Sequence, residues 1–402
     1  MYESGSGPML PISTLTTLTS PDVDTRANVP PTISPKNSEP PVSPKVDLSK
    51  VAVAPFIESV PPQRYGGTER VVAWLLEELF RRGHDVTLFA SGDSRTSAAL
   101  VPTWPHALRL SSSPIEDAGV LHAAAVRRAI EASPGFDVVH AHVDWIGPAF
   151  AAYSSAPLVT TLHGRLDIPE AAAMAAMFPA APLVAISRSQ RSALPRANWA
   201  GTVHHGLPLD ALPFCGAQGD YLLFVGRLSR EKRPDLAVRA AHAVGLPLKI
   251  AAKQNGNRED REYWKDEMAP LLATHGEHVE LLGEVGDAVK PALMAGARAV
   301  LFPADWPEPF GLVAIEAMAV GTPVIAFPNG ALPEIVADGR SGFLVSSLEE
   351  MVAAIRSIDT LDRRECREVV RERFTVQRMA DDYERVFERL HVERLELSPA
   401  AT

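Results

Sequence analysis

The feature that most constrains this fold is an alternation of strand-like and helix-like segments, which occurs twice along the chain. In the first half, short runs of β-branched apolar residues predict strands. Between the first two of them, in residues 68–82, apolar side chains recur at helical spacing until Gly83 ends the pattern. Such βαβ units predict a parallel sheet covered by helices. The predicted strands of this half are residues 51–56, 85–90, 137–142, 158–163, 183–186 and 202–205.

The second half repeats the alternation after a stretch with the composition of a linker. Residues 207–220 contain two prolines and two glycines, which favour turns over regular structure. We therefore predict an α/β protein with two Rossmann-like, doubly wound domains. Ligands bind such sheets at the carboxyl ends of the strands, so we expect the two domains to face each other across a ligand-binding cleft. The predicted strands of this half are residues 221–226, 248–252, 279–282, 299–302, 324–327 and 343–345.

These patterns predict a domain organisation with five segments. Residues 1–50 hold nine Pro, eight Ser and six Thr without helical or strand periodicity, so we expect a disordered tail. A Rossmann-like N-terminal domain follows, then a linker, a Rossmann-like C-terminal domain and an amphipathic helix that packs back across both domains. Their predicted bounds are residues 51–206, 207–220, 221–375 and 376–396.

Charge and cysteine content narrow the class of protein. The formal net charge is −10, so the chain has no overall basic field to attract nucleic acid, and we expect none as a partner. Two cysteines, Cys215 and Cys366, are too few for a disulfide framework or a four-ligand zinc site, which favours the reducing cytoplasm. No apolar run reaches the ~18 residues of a membrane span, so we expect no integral membrane segment.

A pair of glycines near the start of the first domain suggests anion binding. Neither a G-x-G-x-x-G after a strand nor a P-loop motif occurs, which argues against dehydrogenases and P-loop NTPases. Instead, Gly66 and Gly67 follow the first predicted strand and precede a helix. Glycines there let backbone N–H groups approach an anion at the helix N-terminus. The same pair also suits a plain strand-to-helix turn.

The most informative segment is residues 306–316, which follow a buried strand. Two prolines in it disfavour helix, so we expect the helix to start near Phe310 or Gly311. The N–H groups of Gly311, Leu312 and Val313 would then be unpaired donors at the positive end of the helix dipole, which predicts a phosphate site.

Charged residues flank this predicted phosphate site. Glu308 lies in the loop before the helix and Glu316 inside the helix, at the two ends of the site. Arg227 and Lys232, directly after the first strand of the second half, suit a leaving pyrophosphate, although a charged loop is often only solvated.

Together, these residues carry a resemblance. Gly66-Gly67, Gly226-Arg227 with Lys232, and Glu308 followed by Glu316 resemble the retaining glycosyltransferase family 4, which has the GT-B fold. The likeness covers essentially residues 51–390, and within the family it is to bacterial enzymes of secondary metabolism or cell-surface sugar assembly.

The resemblance implies that the N-terminal domain (residues 51–206) binds the acceptor and the C-terminal domain (residues 221–375) binds the nucleotide sugar. It also implies roles for individual residues. Arg227 and Lys232 would hold the donor pyrophosphate, and Glu316 the ribose. Glu308 would contact hydroxyls of the transferred sugar, and His163 would face the reacting sugar. The implied donor-binding set also includes Gly66, Gly67, Glu284, Val285, Phe310, Gly311, Leu312 and Val313, with Glu284 and Val285 near the nucleobase.

On the acceptor side the assignments depend on strand-end positions. His142 and Asp144 end a first-half strand and are candidates to meet the acceptor, although a strand-end histidine often only packs. Acceptor choice is expected to belong to loops at residues 91–103 and 144–150. Relatives commonly carry a glycine before the position of Lys253, so its role stays open. The turn His204-His205-Gly206 is interpreted as structural.

The implied activity is transfer of a hexose-type sugar from a nucleoside-diphosphate sugar to an unidentified hydroxyl acceptor, with retention. No cofactor and no metal are expected, because the donor phosphate itself can take the acceptor proton and the cations can meet the charge on the pyrophosphate. A retaining glycosidase would need two carboxylates about 5 Å apart, which the positions of Glu308 and Glu316 argue against. A nucleotide-sugar epimerase, a phosphorylase and a non-catalytic nucleotide-sugar binder remain alternatives.

Overall fold

A computed structural model describes residues 49–53, 55, 57–64, 66–109, 117–253 and 257–397. The predicted tail lies outside the described residues, except that Ser49 and Lys50 open the first strand. Within the described part of the chain no helix is both long enough and apolar enough to cross a membrane.

The first lobe is built on a parallel sheet of seven strands within the described residues. Every neighbouring pair in it is parallel, and the strand order is β3-β2-β1-β4-β5-β6-β7. The strands are β1 (Ser49–Val53), β2 (Asp85–Ser91), β3 (Ala99–Trp104), β4 (Val138–Ala141), β5 (Leu158–Thr161), β6 (Leu183–Ala185) and β7 (Trp199–Thr202).

The two edge strands of this sheet differ from the sequence prediction. Residues 91–103 and 144–150 were expected to be acceptor loops. This prediction was wrong for residues 146–150, which form a helix (α3, Ile146–Phe150), and for residues 99–103, which belong to strand β3. The side chains of β3 are mostly exposed or half-buried, and Pro102 interrupts the apolar pattern. Proline is tolerated there because an edge strand has only one partner. Strand β7 begins three residues before its prediction at 202–205, since its residues are only half-buried and carry little apolar signal.

Helices of the first lobe pack on both faces of this sheet. Helix α1 buries Val71, Val72, Leu75, Leu76 and Leu79, the apolar stripe that its sequence predicts. The helices are α1 (Gly67–Arg81), α2 (Ala118–Ala132), α3 (Ile146–Phe150), α4 (Pro169–Met177) and α5 (Arg188–Ser192).

The second lobe has a parallel sheet of six described strands in the order β10-β9-β8-β11-β12-β13. These strands are β8 (Tyr221–Arg227), β9 (Leu248–Lys253), β10 (Val279–Leu281), β11 (Ala297–Phe302), β12 (Val324–Ala326) and β13 (Gly342–Leu344). The order reverses between β8 and β11, which is where open α/β sheets bind ligands. Its helices are α6 (Pro234–Val244), α7 (Arg258–Tyr263), α8 (Ala269–His275), α9 (Lys290–Ala295), α10 (Leu312–Ala319), α11 (Leu332–Ile335), α12 (Leu348–Ser357) and α13 (Arg363–Arg373).

The chain passes between the lobes twice, and the two crossings lie side by side. The backbone N–H of Leu207 donates a hydrogen bond to the carbonyl oxygen of Phe374, and the Leu207 carbonyl oxygen accepts one from the N–H of Val376, both at 2.9 Å. The final helix, α14 (Val376–Leu397), then packs against α1 of the first lobe. Tyr383 and Phe387 of α14 are buried in the same apolar cluster as the α1 stripe. The C-terminal segment therefore completes the core of the first lobe.

Candidate functional site

A cleft of about 980 Å³ lies between the two sheets and is bounded by residues of both lobes. Strands β4, β5 and β8 end at it, as expected for parallel sheets that bind ligands at their carboxyl ends. Every site residue that the sequence analysis selected lines this cleft. These residues are Gly66, Gly67, His142, Asp144, His163, Arg227, Lys232, Glu284, Val285, Glu308, Phe310, Gly311, Leu312, Val313 and Glu316.

Two cations of the second lobe lie on one wall of the cleft. Arg227 ends β8 and forms an ion pair with Glu231, four residues further on. Lys232 lies in the following turn and forms an ion pair with Glu308. Two residues that are distant in sequence are thus in direct contact, and both side chains are largely buried.

Trp306 contacts both members of this pair. Its indole N–H donates to Glu308 Oε2 at 2.8 Å, and Lys232 Nζ lies 4.5 Å from the centre of the indole ring. A cation over an aromatic face is attracted electrostatically by the partially negative π face of the ring. Trp306 therefore holds the carboxylate and the ammonium in place, a role that the sequence analysis did not assign to it.

Helix α10 begins at Leu312, with Gly311 as its N-cap at φ 101°. The left-handed backbone there favours glycine, and an added Cβ would lie 3.0 Å from Leu332. N–H groups of the first helical turn have no acceptor within a helix and carry the positive end of its dipole. Across the cleft, a Cβ added to Gly67 would lie 3.4 Å from Leu312. The starts of α1 and α10 are therefore close together.

Glu316 is paired with a lysine that the sequence analysis missed. Lys290, the first residue of α9, places its Nζ 2.6 Å from Glu316 Oε1, and both side chains are about nine-tenths buried. Asp287 lies 3.4 Å from the same ammonium. A buried carboxylate needs a charged or hydrogen-bonding partner, and Lys290 provides one for Glu316 on α10. No local motif marks this lysine, since the contact forms only in the folded chain.

Three histidines line the first-lobe side of the cleft. His142 Nδ1 and His163 Nε2 lie 2.9 Å apart, and the rings of His163 and His205 stack with centroids 5.4 Å apart. Burial lowers the pKa of His163 to about 3 and that of His142 well below its ordinary value. Both imidazoles are therefore neutral near pH 7. His163 can offer a hydrogen bond to a sugar but not a positive charge.

Asp144 and His205 extend this histidine cluster. Asp144 accepts a hydrogen bond from the backbone N–H of His163 and has a left-handed φ of 45°. Non-glycine residues in that region are uncommon and concentrate at functional sites. The sequence analysis interpreted His205 as structural, whereas the structure also places it in the cleft wall, edge-on to Phe310. Only the fold brings this turn beside His163.

Ion pairs connect the two lobes across the cleft. Arg70 of α1 lies 2.8 Å from Asp287 of the second lobe. Arg109 of the first lobe contacts Glu58 and lies 3.0 Å from Glu284, the residue expected near the nucleobase. Within the described residues no cluster of three or more His, Cys, Asp or Glu is arranged to hold a metal ion.

Comparisons with known proteins identify the family and the fold. Residues 65–201 match the family described as Glycosyltransferase Family 4, and residues 217–373 match Glycosyl transferases group 1. A D-inositol 3-phosphate glycosyltransferase of Mycolicibacterium smegmatis is 30% identical over 335 residues, covering 70% of this chain and 75% of the relative.

Solved structures share the fold. AviGT4, a glycosyltransferase involved in avilamycin A biosynthesis, aligns with a TM-score of 0.65 and 24% identity over 86% of this chain and 98% of its own. Anabaena Alr3699/HepE in complex with UDP and glucose aligns with a TM-score of 0.65 and 19% identity over 85% of this chain and 99% of its own. The chain therefore belongs to the family 4 glycosyltransferases, and its two facing Rossmann-like lobes form the GT-B fold.

Proposed function

We propose that this glycosyltransferase moves a hexose from a nucleoside-diphosphate sugar to a hydroxyl group of its acceptor, with retention and without a metal ion. The observation that carries the proposal is the convergence of Arg227, Lys232 and the start of α10 on one wall of a single cleft, with His163 on the other lobe. The HepE structure, which holds UDP and glucose, supports this class of donor.

The cations and the helix start are assigned to the pyrophosphate. Negative charge grows on the leaving diphosphate as the sugar bond breaks, and preorganised donors stabilise that charge. Arg227 supplies a planar fork of N–H groups, and Lys232 supplies a mobile ammonium. These groups perform the charge stabilisation for which other transferases need a divalent cation.

Glu308 is assigned to the transferred sugar. Its Oε2 accepts hydrogen bonds from both Lys232 and Trp306, which orient the carboxylate. We therefore assign the other oxygen, Oε1, to the sugar hydroxyls. The diphosphate gives Lys232 an additional anionic partner, which couples donor binding to the position of this carboxylate. Glu316, one helical turn after the first residue of α10, is assigned to the ribose. Glu284 and Val285 are assigned to the nucleobase side.

The reaction then needs no protein nucleophile. The bond between the anomeric carbon and the diphosphate oxygen breaks, and the acceptor oxygen bonds to that carbon on the same face. The acceptor proton passes to the departing phosphate oxygen, and the products are the glycoside and the nucleoside diphosphate. Neutral His163 hydrogen-bonds the sugar and holds its orientation, so the protein acts mainly through positioning and charge stabilisation.

Replacing either cation tests the proposal. A thermal-shift screen with nucleoside diphosphates and their sugars first identifies the donor. Turnover is then measured as acceptor-dependent release of nucleoside diphosphate. Arg227→Ala and Lys232→Ala should each lower kcat about a hundredfold or more, the effect of losing one preorganised donor.

Arg230→Ala is the matched control. Arg230 belongs to the same turn as Lys232, but it is exposed and pairs with Glu267 outside the cleft, so its variant should keep wild-type turnover. Unchanged turnover in both cation variants would contradict the assignment. Release of diphosphate only when an acceptor is present distinguishes transfer from epimerisation.

A further inference from the structure

The first-lobe side of the cleft carries an apolar surface that the donor does not account for. Ile146 and Phe150 lie four residues apart, on one face of α3, and Trp145 directly precedes them. Met174 of α4 adds a fourth side chain. All four line the cleft and are only partly buried, so each keeps surface that a ligand can contact. We call Trp145, Ile146, Phe150 and Met174 the apolar shelf.

The apolar shelf adjoins the reacting end of the cleft. Trp145 follows Asp144, whose carboxylate accepts a hydrogen bond from the backbone N–H of His163. Arg165, two residues after His163, places its guanidinium 5.6 Å from the ring of Trp306, the residue that holds Glu308. The shelf therefore begins next to Asp144, which contacts the histidine assigned to the transferred sugar.

Charge on this side of the cleft argues against an anionic acceptor. Arg70 is paired with Asp287, and Arg109 with Glu58 and Glu284. A phosphorylated acceptor would have to compete with these carboxylates for the two arginines. His142 and His163 are neutral near pH 7, because burial lowers the pKa of both imidazoles.

Arg165 is paired with Asp167 at 2.7 Å, and Arg64 is the remaining first-lobe arginine that lines the cleft. It has no ion pair with any described carboxylate within 4.0 Å, but it is exposed at the cleft rim. A single exposed arginine adds little binding energy for a phosphate, because water screens it.

We propose that the natural acceptor carries an uncharged apolar group, which lies on the apolar shelf while its hydroxyl points towards His163. This inference rests on the proposed function and names the class of its acceptor. The proposed acceptor class differs from the charged acceptor, D-inositol 3-phosphate, in the name of the M. smegmatis relative.

Acceptors that share one sugar but differ in their apolar group test the proposal. We would compare 4-nitrophenyl, n-octyl and methyl β-D-glucopyranoside, with D-myo-inositol 3-phosphate as the charged alternative, using the donor from the thermal-shift screen. The 4-nitrophenyl or the octyl glucoside should exceed the methyl glucoside in kcat/KM by about tenfold or more, as burial of several methylene equivalents predicts. A higher value for octyl indicates an alkyl chain, and a higher value for nitrophenyl indicates an aromatic ring. Equal use of methyl glucoside, or preference for the inositol phosphate, would overturn the proposal.

Two methionines of α4 provide a matched pair of variants. Met174 lines the cleft, whereas Met177 is exposed elsewhere on the same helix. Met174→Ser should raise KM for the preferred apolar glucoside about tenfold without changing KM for the donor, because it removes apolar contact area only. Met177→Ser should match the wild type. Equal effects of the two substitutions would refute the shelf.

Binding measurements separate this inference from the proposed function. Calorimetry of the same glucosides with the wild type and the Met174→Ser variant, in the presence of nucleoside diphosphate, needs no turnover. Weaker apolar binding in the variant without any transfer would support the shelf and contradict the transfer mechanism. Transfer without a preference for apolar glucosides, or glucoside binding that Met174→Ser leaves unchanged, would overturn only the shelf.

Discussion

We expect Glu69 to make the stability of the first lobe depend on pH. It lies in the first turn of α1, beside the cleft, with 5% of its surface exposed. Its carboxylate accepts a hydrogen bond from the backbone N–H of Glu58 at 3.4 Å. Burial raises the pKa of Glu69 from its ordinary 4.5 to about 7. The folded protein therefore holds this proton at pH values where the unfolded chain has already lost it.

The sign and size of the effect follow from proton linkage. Between pH 4.5 and about 7 the folded state binds more protons than the unfolded state, so the free energy of unfolding falls as pH rises. Each unit of pKa difference is worth about 1.4 kcal/mol, which gives a loss of about 3 kcal/mol from Glu69 by pH 8. Below pH 4.5 both states hold the proton, and the penalty disappears.

Glu69→Gln removes the titration and keeps the shape of the side chain. Melting temperatures of the variant and the wild type should nearly coincide at pH 5. At pH 8 the variant should melt about 6 °C or more higher, since one kcal/mol shifts a lobe of this size by about 2–4 °C. Glu170→Gln, at an exposed position on α4, serves as the control and should follow the wild type. A separation between Glu69→Gln and the wild type that does not change with pH would refute the reasoning.

Two further predictions concern the donor wall. Glu316→Ala removes the proposed ribose contact and should weaken binding of the preferred nucleoside diphosphate about tenfold in calorimetry, since hydrogen bonds to charged groups contribute about 1.5–3 kcal/mol; unaltered affinity would remove the assigned role. Gly330→Ala should lower turnover, because its added Cβ would lie 2.2 Å from the backbone nitrogen of Glu308 and displace that residue. Gly339→Ala shares the positive φ but meets nothing within 4 Å, so equal losses of turnover in the two variants would contradict the displacement.

The parts of the site that sequence reasoning identified lie at strand ends and helix starts. Arg227 ends β8, His163 follows β5, and Gly311 caps α10. Each position follows from local rules about strand periodicity, proline and helix termini. Because parallel strands present their carboxyl ends at one edge, residues at those ends necessarily share a cleft. The edge strand β3 was missed because half-exposed strands carry little periodic signal.

By itself, the sequence determined two Rossmann-like sheets, the helix start at residues 310–312 and the residues that line the cleft from strand ends. Only the tertiary structure decided how these residues are paired: Lys232 with Glu308, Lys290 with Glu316, and Arg109 with Glu284. Secondary structure and helix termini follow from neighbours along the chain, which the sequence displays. Partners that lie between 26 and 175 residues apart depend on how the lobes pack, and no local pattern encodes that.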